Sequence, residues 1–383
     1  MNIPYGKQNI NNGDIKHVSN SLKNNLLTGG HLVKKFEQEI KKITKAKYAI
    51  TCSSGTAALH LALLAIKIKK NDVVIMPAIN FIAVYNLAFS LGAKIFLADV
   101  DPKTGQMTPK NLKDCIKKNK LKKIKTFITM YLGGSPENAY EFFKIKKKLK
   151  CYLIEDSCHA FGSKYFYNKK LVPVGSCKHS DISTFSLHPV KSITTGEGGI
   201  VTTNNKKFYE FVSLMRSHGL VKKKNKHWEY DLKHCGLNYR LSDINSALGI
   251  SQIKRIRKFI NYRKKISNYY KRELLKYKDY ITFPKYNNNS ISSWHLLIAQ
   301  IDFKKLKTSK SIFLTFLKNK KIFCQYHYTP IYNFKIYYKK KLKLKGTQEY
   351  FQNTISLPIY YGLTKPKVGL VTKNIIKFIN SKK

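Results

Sequence analysis

Acidic residues are scarce in this chain: 21 Asp and Glu stand against 72 Lys and Arg, for a formal net charge of +51. A surface so basic attracts nucleic acid and anionic membranes. The lysines, however, recur in nearly every surface segment, from Lys34 and Lys35 through Lys69, Lys70, Lys122 and Lys123 to Lys147, instead of gathering in one arm or stripe. A nucleic-acid interface is expected to be localised, so the charge reads as compositional bias that would also favour a diphosphate-bearing substrate. Long apolar runs are missing as well. None approaches the ~20 residues of a membrane span, and the N-terminus has neither a basic nor an apolar leader region, so a cytoplasmic protein is expected. The seven cysteines are scattered singly with no CxxC pair, which excludes a disulfide framework or a paired-cysteine metal site. No repeat and no Pro/Gly/Ser linker stands out, so the parts of the chain are expected to pack closely.

What is present is core material: 43% hydrophobic and 13% aromatic residues over 383 positions, enough for a large α/β domain and a smaller companion. From residue 48 to about 203, short β-branched runs alternate with amphipathic ones, the pattern of helices on a mostly parallel sheet. The spacing predicts strands over 48–52, 73–76, 94–98, 126–131, 152–155, 182–186 and 199–203. Helices are predicted over 56–68, 81–91, 109–118, 139–149 and 206–217. Ahead of them Leu32, Val33, Phe36, Ile40 and Ile43 repeat at helical spacing. Beyond Arg240 the alternation stops. Residues 242–277 read as long helix with Ser242 as N-cap, followed by a shorter strand-and-helix set at 294–301, 311–317 and 322–328, the last a Tyr-rich strand candidate. The expected division is 1–240, a large domain with an N-terminal helical segment, and 241–383, a small C-terminal domain.

Three stretches carry chemistry. Cys52-Ser53-Ser54-Gly55-Thr56-Ala57 is a small polar turn from strand to helix, where backbone N–H groups and hydroxyls form an anion site. An ordinary capped connection has the same appearance. Asp156 follows an apolar strand, and ligands of parallel sheets gather at strand carboxyl ends. A turn-capping aspartate would look alike. Lys191 lies five residues after Ser186, in a stretch otherwise poor in charge and followed by Thr195-Gly196-Glu197-Gly198-Gly199. A lysine held away from water loses affinity for its proton and becomes the amine nucleophile that Schiff-base chemistry requires.

In order along the chain, Ser54-Gly55-Thr56, Glu155-Asp156-x-x-His159-Ala160, Ser186-x-His188-x-x-Lys191, the Thr195–Gly199 run, Arg216-Ser217-His218-Gly219 and Gly236-Leu237-Asn238-Tyr239-Arg240 together resemble the DegT/DnrJ/EryC1/StrS family of sugar aminotransferases. The resemblance covers nearly the whole chain. It implies the type I aminotransferase fold, a homodimer with shared active sites and pyridoxal 5'-phosphate as coenzyme. It implies that Lys191 carries the coenzyme and moves the proton, that Asp156 faces the pyridine nitrogen and that His159 lies near the ring. Phe81 would stack on the ring. Ser54, Gly55, Thr56 and Ser186 would cradle the phosphate, with Asn238 reaching it across the dimer. No metal is implied.

Within the family, Ser292-Ser293-Trp294-His295 and the segment from Gln325 to Tyr332 are similar to the pseudaminic acid branch. That likeness implies amination at C4 of a UDP-linked 2-acetamido-2,6-dideoxy-4-hexulose with L-glutamate as donor. Tyr5, Thr28, His327 and Tyr328 would be the substrate-binding residues. Asn138 departs from the acid that many members carry in the Gly133–Asn138 loop, and this bears on the sugar rather than the family. A dTDP- or GDP-linked keto-sugar stays open as acceptor, as does a basic nucleic-acid-binding protein on an inactive aminotransferase fold.

Overall fold

A computed structural model describes residues 2–223, 225–286, 290–337 and 342–382. All seven predicted strands of the first half form and join one sheet. Its spatial order is Tyr48–Cys52, Gly199–Thr203, Ile182–Ser186, Tyr152–Asp156, Thr126–Met130, Val73–Pro77, Lys94–Ala98. Gly199–Thr203 runs antiparallel to both its neighbours, and the other pairings are parallel. The strands are buried almost throughout, as expected of parallel strands covered by helices on both faces. Helices cover the sheet, among them Gly55–Ala65, Ile82–Ser90, Pro109–Lys118, Ala139–Leu149 and Lys206–Met215.

Local chemistry sets the helix ends. Ser54 accepts from the Ala57 amide to cap Gly55–Ala65, and Thr108 and Asn111 close a capping box at Pro109–Lys118. Ser242 caps Asp243–Ile253 as the sequence indicates. The long helix expected over 242–277, however, is two: Asp243–Ile253 and Ile256–Glu273. The break falls at Arg255, which turns aside to pair with the fully buried Asp14 and to donate to Asn9 Oδ1 at 2.9 Å. Helical periodicity continues through that point, so the pattern alone does not expose it.

A second apolar core gathers Ile3 with Ile266, Tyr270, Leu297, Phe313, Leu357 and Val371, around the antiparallel sheet Ile281–Thr282, Leu297–Ile301, Thr354–Leu357. The strand expected at 322–328 does not form. Ile322 bridges only Ile3, and Gln325 bridges only Ser356. The segment is extended and crosses from one neighbour to the next, so its aromatic residues, favourable for strands, are placed beside the first sheet. Two hairpins, Lys164–Tyr167 with Lys170–Pro173 and Leu220–Lys223 with Lys226–Leu232, have no counterpart in the sequence reading. Among the described residues no helix is long and apolar enough to cross a membrane.

Candidate active site

The carboxyl ends of Tyr152–Asp156 and Ile182–Ser186 and the N-terminus of Gly55–Ala65 meet beneath the segment 322–328. They enclose a cavity of about 330 Å³. Tyr5, Ser54, Gly55, Thr56, Phe81, Asp156, His159, Ser186, Lys191, His327 and Tyr328 all line it. Thus eleven of the thirteen residues singled out from the sequence come together. Asn238 and Thr28 do not. Both are exposed, Asn238 bridging Ser217 and Thr28 bridging Ser242.

On the sheet side the cavity is built by strand ends. In Glu155-Asp156 the two-residue period points the side chains to opposite faces. Glu155 is enclosed in the protein, accepting from Tyr131 Oη at 2.8 Å and from the Ser183 hydroxyl. Asp156 faces the cavity, 2% exposed, with its carboxylate accepting from the Cys158 amide at 3.2 Å. Burial pushes both carboxyls above the usual range, and for Asp156 the Cys158 hydrogen bonds and the Lys191 charge pull in the other direction. Lys191 sits on the loop beyond Ile182–Ser186, its amide bonded to the His188 carbonyl at 2.9 Å. Desolvation lowers the proton affinity of its amine. Cys158 and Asp156 oppose that shift, and the buried Arg263 guanidinium adds to it. Gly55 permits a close approach here, since a Cβ there would meet Ser186 Cβ at 2.8 Å. The first turn of Gly55–Ala65 therefore lies directly against Ser186, and Ser54, Gly55 and Thr56 at its start line the cavity.

The other side is made of rings. His159, His295 and His327 converge, with His159 and His295 centroids 4.2 Å apart and His159 and His327 6.2 Å apart. Tyr328 Oη lies 2.9 Å from His159 Nε2, and Tyr5 packs on His327 at 5.5 Å. Burial first, and the neighbouring Lys191 and histidines second, push His159 and His295 well below the ordinary histidine range; His327 is lowered to about 3. All three rings are neutral at physiological pH. Phe81, 51% exposed, stands at the edge of the cavity with its ring 5.7 Å from Tyr328. Sequence reasoning missed His295 and Cys158 as lining residues. His295 stood in a motif that looked branch-specific, while Cys158 carried no signal of its own.

A desolvated lysine facing an aspartate across a cavity, at the carboxyl edge of a mostly parallel sheet and beside a helix N-terminus, defines the class: an α/β enzyme fold arranged for amine chemistry on an anionic ligand. The chain belongs to the DegT/DnrJ/EryC1/StrS aminotransferase family, whose profile matches residues 8–376, and the fold is that of the type I aminotransferases. It is 34% identical to the UDP-4-amino-4,6-dideoxy-N-acetyl-beta-L-altrosamine transaminase of Campylobacter jejuni (strain 81-176), over all of this chain and 98% of that one. It is 29% identical to the GDP-perosamine synthase of Escherichia coli O157:H7, over 99% of each. Among solved structures, Helicobacter pylori PseC, an aminotransferase involved in the biosynthesis of pseudoaminic acid, superimposes with a TM-score of 0.91 at 29% identity, covering 100% of both chains.

Proposed function

We propose that this chain is a pyridoxal-phosphate-dependent transaminase of pseudaminic acid biosynthesis. It transfers the amino group of L-glutamate to C4 of a UDP-linked 2-acetamido-2,6-dideoxy-4-keto-hexose, in the cytoplasm and as a homodimer. The observation that carries the chemistry is the desolvated Lys191 amine facing the buried Asp156 carboxylate in one cavity. The choice of sugar rests on the C. jejuni relative and on PseC.

The residues present fit the coenzyme. Gly55, packed so closely on Ser186 that no side chain has room, leaves Ser54, Thr56 and the positive end of the helix that begins there to hold a phosphate. Asp156 supplies the carboxylate that a protonated ring nitrogen requires, Phe81 an aromatic face and Lys191 the amine. Asn238, exposed in a single chain, is assigned to the phosphate of the partner's site. When bound, pyridoxal phosphate supplies an electron sink for the pair left at carbon after proton removal. Lys191 Nζ, lowered in basicity, takes the α-proton of L-glutamate in the first half-reaction and returns a proton to C4 of the sugar in the second. Tyr5, His327 and Tyr328 hold the sugar nucleotide, and the ring-lined wall excludes water from the reacting carbon; Thr28, which the sequence grouped with them, lies outside the cavity and is given no role there. The division into a coenzyme domain, 1–240, and a small domain, 241–383, belongs to the same proposal; a C-terminal apolar core supports it, although Ile3 joins that core and Leu241, Ile250, Ile253, Ile256 and Phe259 pack with Phe36 and Phe185 in the core of the first part.

Incubating the purified protein with L-glutamate and, in parallel, the UDP-, dTDP- and GDP-linked 4-keto-sugars tests this directly. Mass and NMR analysis should find the amine at C4 of the UDP product. Amination of the GDP-sugar alone would favour the second reading that the E. coli relative suggests. Amination of none would reject both. For the dimer, mixing Lys191→Ala and Asn238→Ala chains creates one site with both residues intact, so activity should partly return; confirmed heterodimers without activity would place the whole site in one chain.

A further inference from the structure

The hydrogen bonds around His159 determine where its proton resides, and with it the direction of a neighbouring one. The Gly133 amide donates to His159 Nδ1 at 3.4 Å. An N–H group donates and does not accept, so Nδ1 presents its lone pair. The ring is 1% exposed, and burial together with Lys191 and His327 keeps it neutral. The single ring proton is therefore on Nε2, 2.9 Å from Tyr328 Oη. Nε2–H donates and the phenolic oxygen accepts. The Tyr328 proton then has to point elsewhere, and among the described residues no other partner meets that hydroxyl, which lines the cavity beside Lys191.

This arrangement is anchored from behind. Gly133 adopts φ 74° and Gly134 φ 98°, a left-handed pair that turns the Gly133 amide onto the imidazole. At Gly134 a Cβ would meet Ser293 Oγ at 2.1 Å and the His159 carbonyl oxygen at 2.7 Å. The same Ser293 hydroxyl donates to the His159 carbonyl at 2.6 Å, and Ser163 Oγ donates to the Gly134 carbonyl at 2.7 Å. His295 lies against the ring, centroids 4.2 Å apart and planes tilted by 46°. Ring flip and tautomer exchange would each leave the buried Gly133 amide without an acceptor, which is costly for a buried donor.

We propose that His159 is a positioning residue that turns the Tyr328 hydroxyl proton into the cavity, making Tyr328 the hydrogen-bond donor to the C4 carbonyl oxygen of the keto-sugar. The inference rests on the function proposed above for its ligand, but not for its geometry. A donor fixed in place before reaction stabilises the negative charge that grows on the carbonyl oxygen as an amine attacks the carbon, and a phenol that is itself accepting from Nε2–H is a stronger donor. His159 cannot relay a proton here. Giving up Nε2–H while Nδ1 accepts from Gly133 would leave an imidazolate.

The test reads the tautomer in the holoenzyme labelled with 15N at histidine, by long-range 1H–15N correlation at neutral pH. The signal assigned to His159 by its loss in His159→Gln should show a pyridine-type Nδ1 and a pyrrole-type Nε2. The opposite tautomer, or two pyrrole-type nitrogens, would overturn the proposal whatever sugar the enzyme accepts. Tyr328→Phe supplies the second reading: by rapid-mixing absorbance, the half-reaction with the UDP-keto-sugar should slow about tenfold more than that with L-glutamate. Equal slowing of the two would also overturn it. If the UDP-keto-sugar is not a substrate while the expected tautomer is found, the proposed function fails and the proton direction stands.

Discussion

The two walls of the cavity are built by different means. The wall of Ser54, Asp156, Ser186 and Lys191 stands on strand ends and a helix N-terminus, where the topology of a parallel sheet collects residues from separate motifs along one edge. The wall of His295, His327 and Tyr328 stands on irregular backbone brought in by long-range packing, its rings held by single contacts such as His327 Nδ1 to Ser356 Oγ at 2.8 Å and the Tyr350 hydroxyl to the His327 carbonyl at 3.0 Å. The first wall holds the ionisable pair. The second is neutral and aromatic. Charge is therefore concentrated on the side that would hold the coenzyme, leaving shape and hydrogen-bond direction to the side that would meet the sugar.

The comparison breaks most visibly if the first wall loses its amine. Lys191→Ala should lower turnover by at least ~10²–10⁴-fold, the range ascribed to a lost acid–base group, with the thermal midpoint little changed because that amine makes no ion pair within 4 Å in the described structure. Appreciable turnover in a folded variant would move the nucleophile elsewhere. Asp156→Asn should be milder, about 10²-fold on both half-reactions, since it removes a charge and keeps the volume. Slowing of only one half-reaction would show that the carboxylate serves one substrate rather than the chemistry common to both.

How much of this was legible follows the same division. The seven strands, the Ser54 turn, Asp156 and Lys191 were readable because local pattern and strand-end position coincide there. Phe81 was readable only through family resemblance, since a lone phenylalanine suggests core and this one is largely exposed. The second wall was half visible: His327 and Tyr328 lay in a segment expected to be a strand, and its real hydrogen-bond partners, Ile3 and Ser356, lie far away in sequence. His295 was quoted without a role because its ring contact with His159 is a tertiary fact. The split of the 242–277 helix was hidden for a related reason, since the partner that draws Arg255 aside is Asp14.

Acid should separate the walls further, because their shifts have opposite signs. His159, His295 and His327 have folded pKa values depressed by burial. The unfolded chain therefore binds their protons first, below about 6.5, and their stability contribution, complete above that pH, is lost as pH falls toward about 3 for His327. In this window each such group costs about 1.4 kcal/mol per pH unit. Buried Asp156 and Glu155 have raised values, so they are destabilising while charged and relieve that penalty as pH falls through their folded pKa. Urea midpoints should fall as the pH drops below about 6.5. His295→Gln should reduce that slope by one proton's worth, and an unchanged slope would mean that the buried ring already carries its proton.

The smallest expected effect sharpens the comparison most, because it asks whether the second wall distinguishes the two substrates. His327 lies between Tyr5 and His159, with Nδ1 committed to Ser356 and the rest of its ring in the cavity lining. If it touches the sugar nucleotide, His327→Ala removes a contact that only the bulky acceptor makes, so the loss belongs to one transition state. The sugar half-reaction should slow about tenfold, the equivalent of one hydrogen bond of ordinary strength, with the glutamate half-reaction nearly unaffected. Stopped-flow absorbance resolves the two by following consumption and then recovery of the coenzyme's carbonyl form. Equal slowing would draw His327 into the chemistry shared by both substrates and erase the division between the walls. No change in either would reduce it to a packing residue of the segment that bridges Ile3 and Ser356.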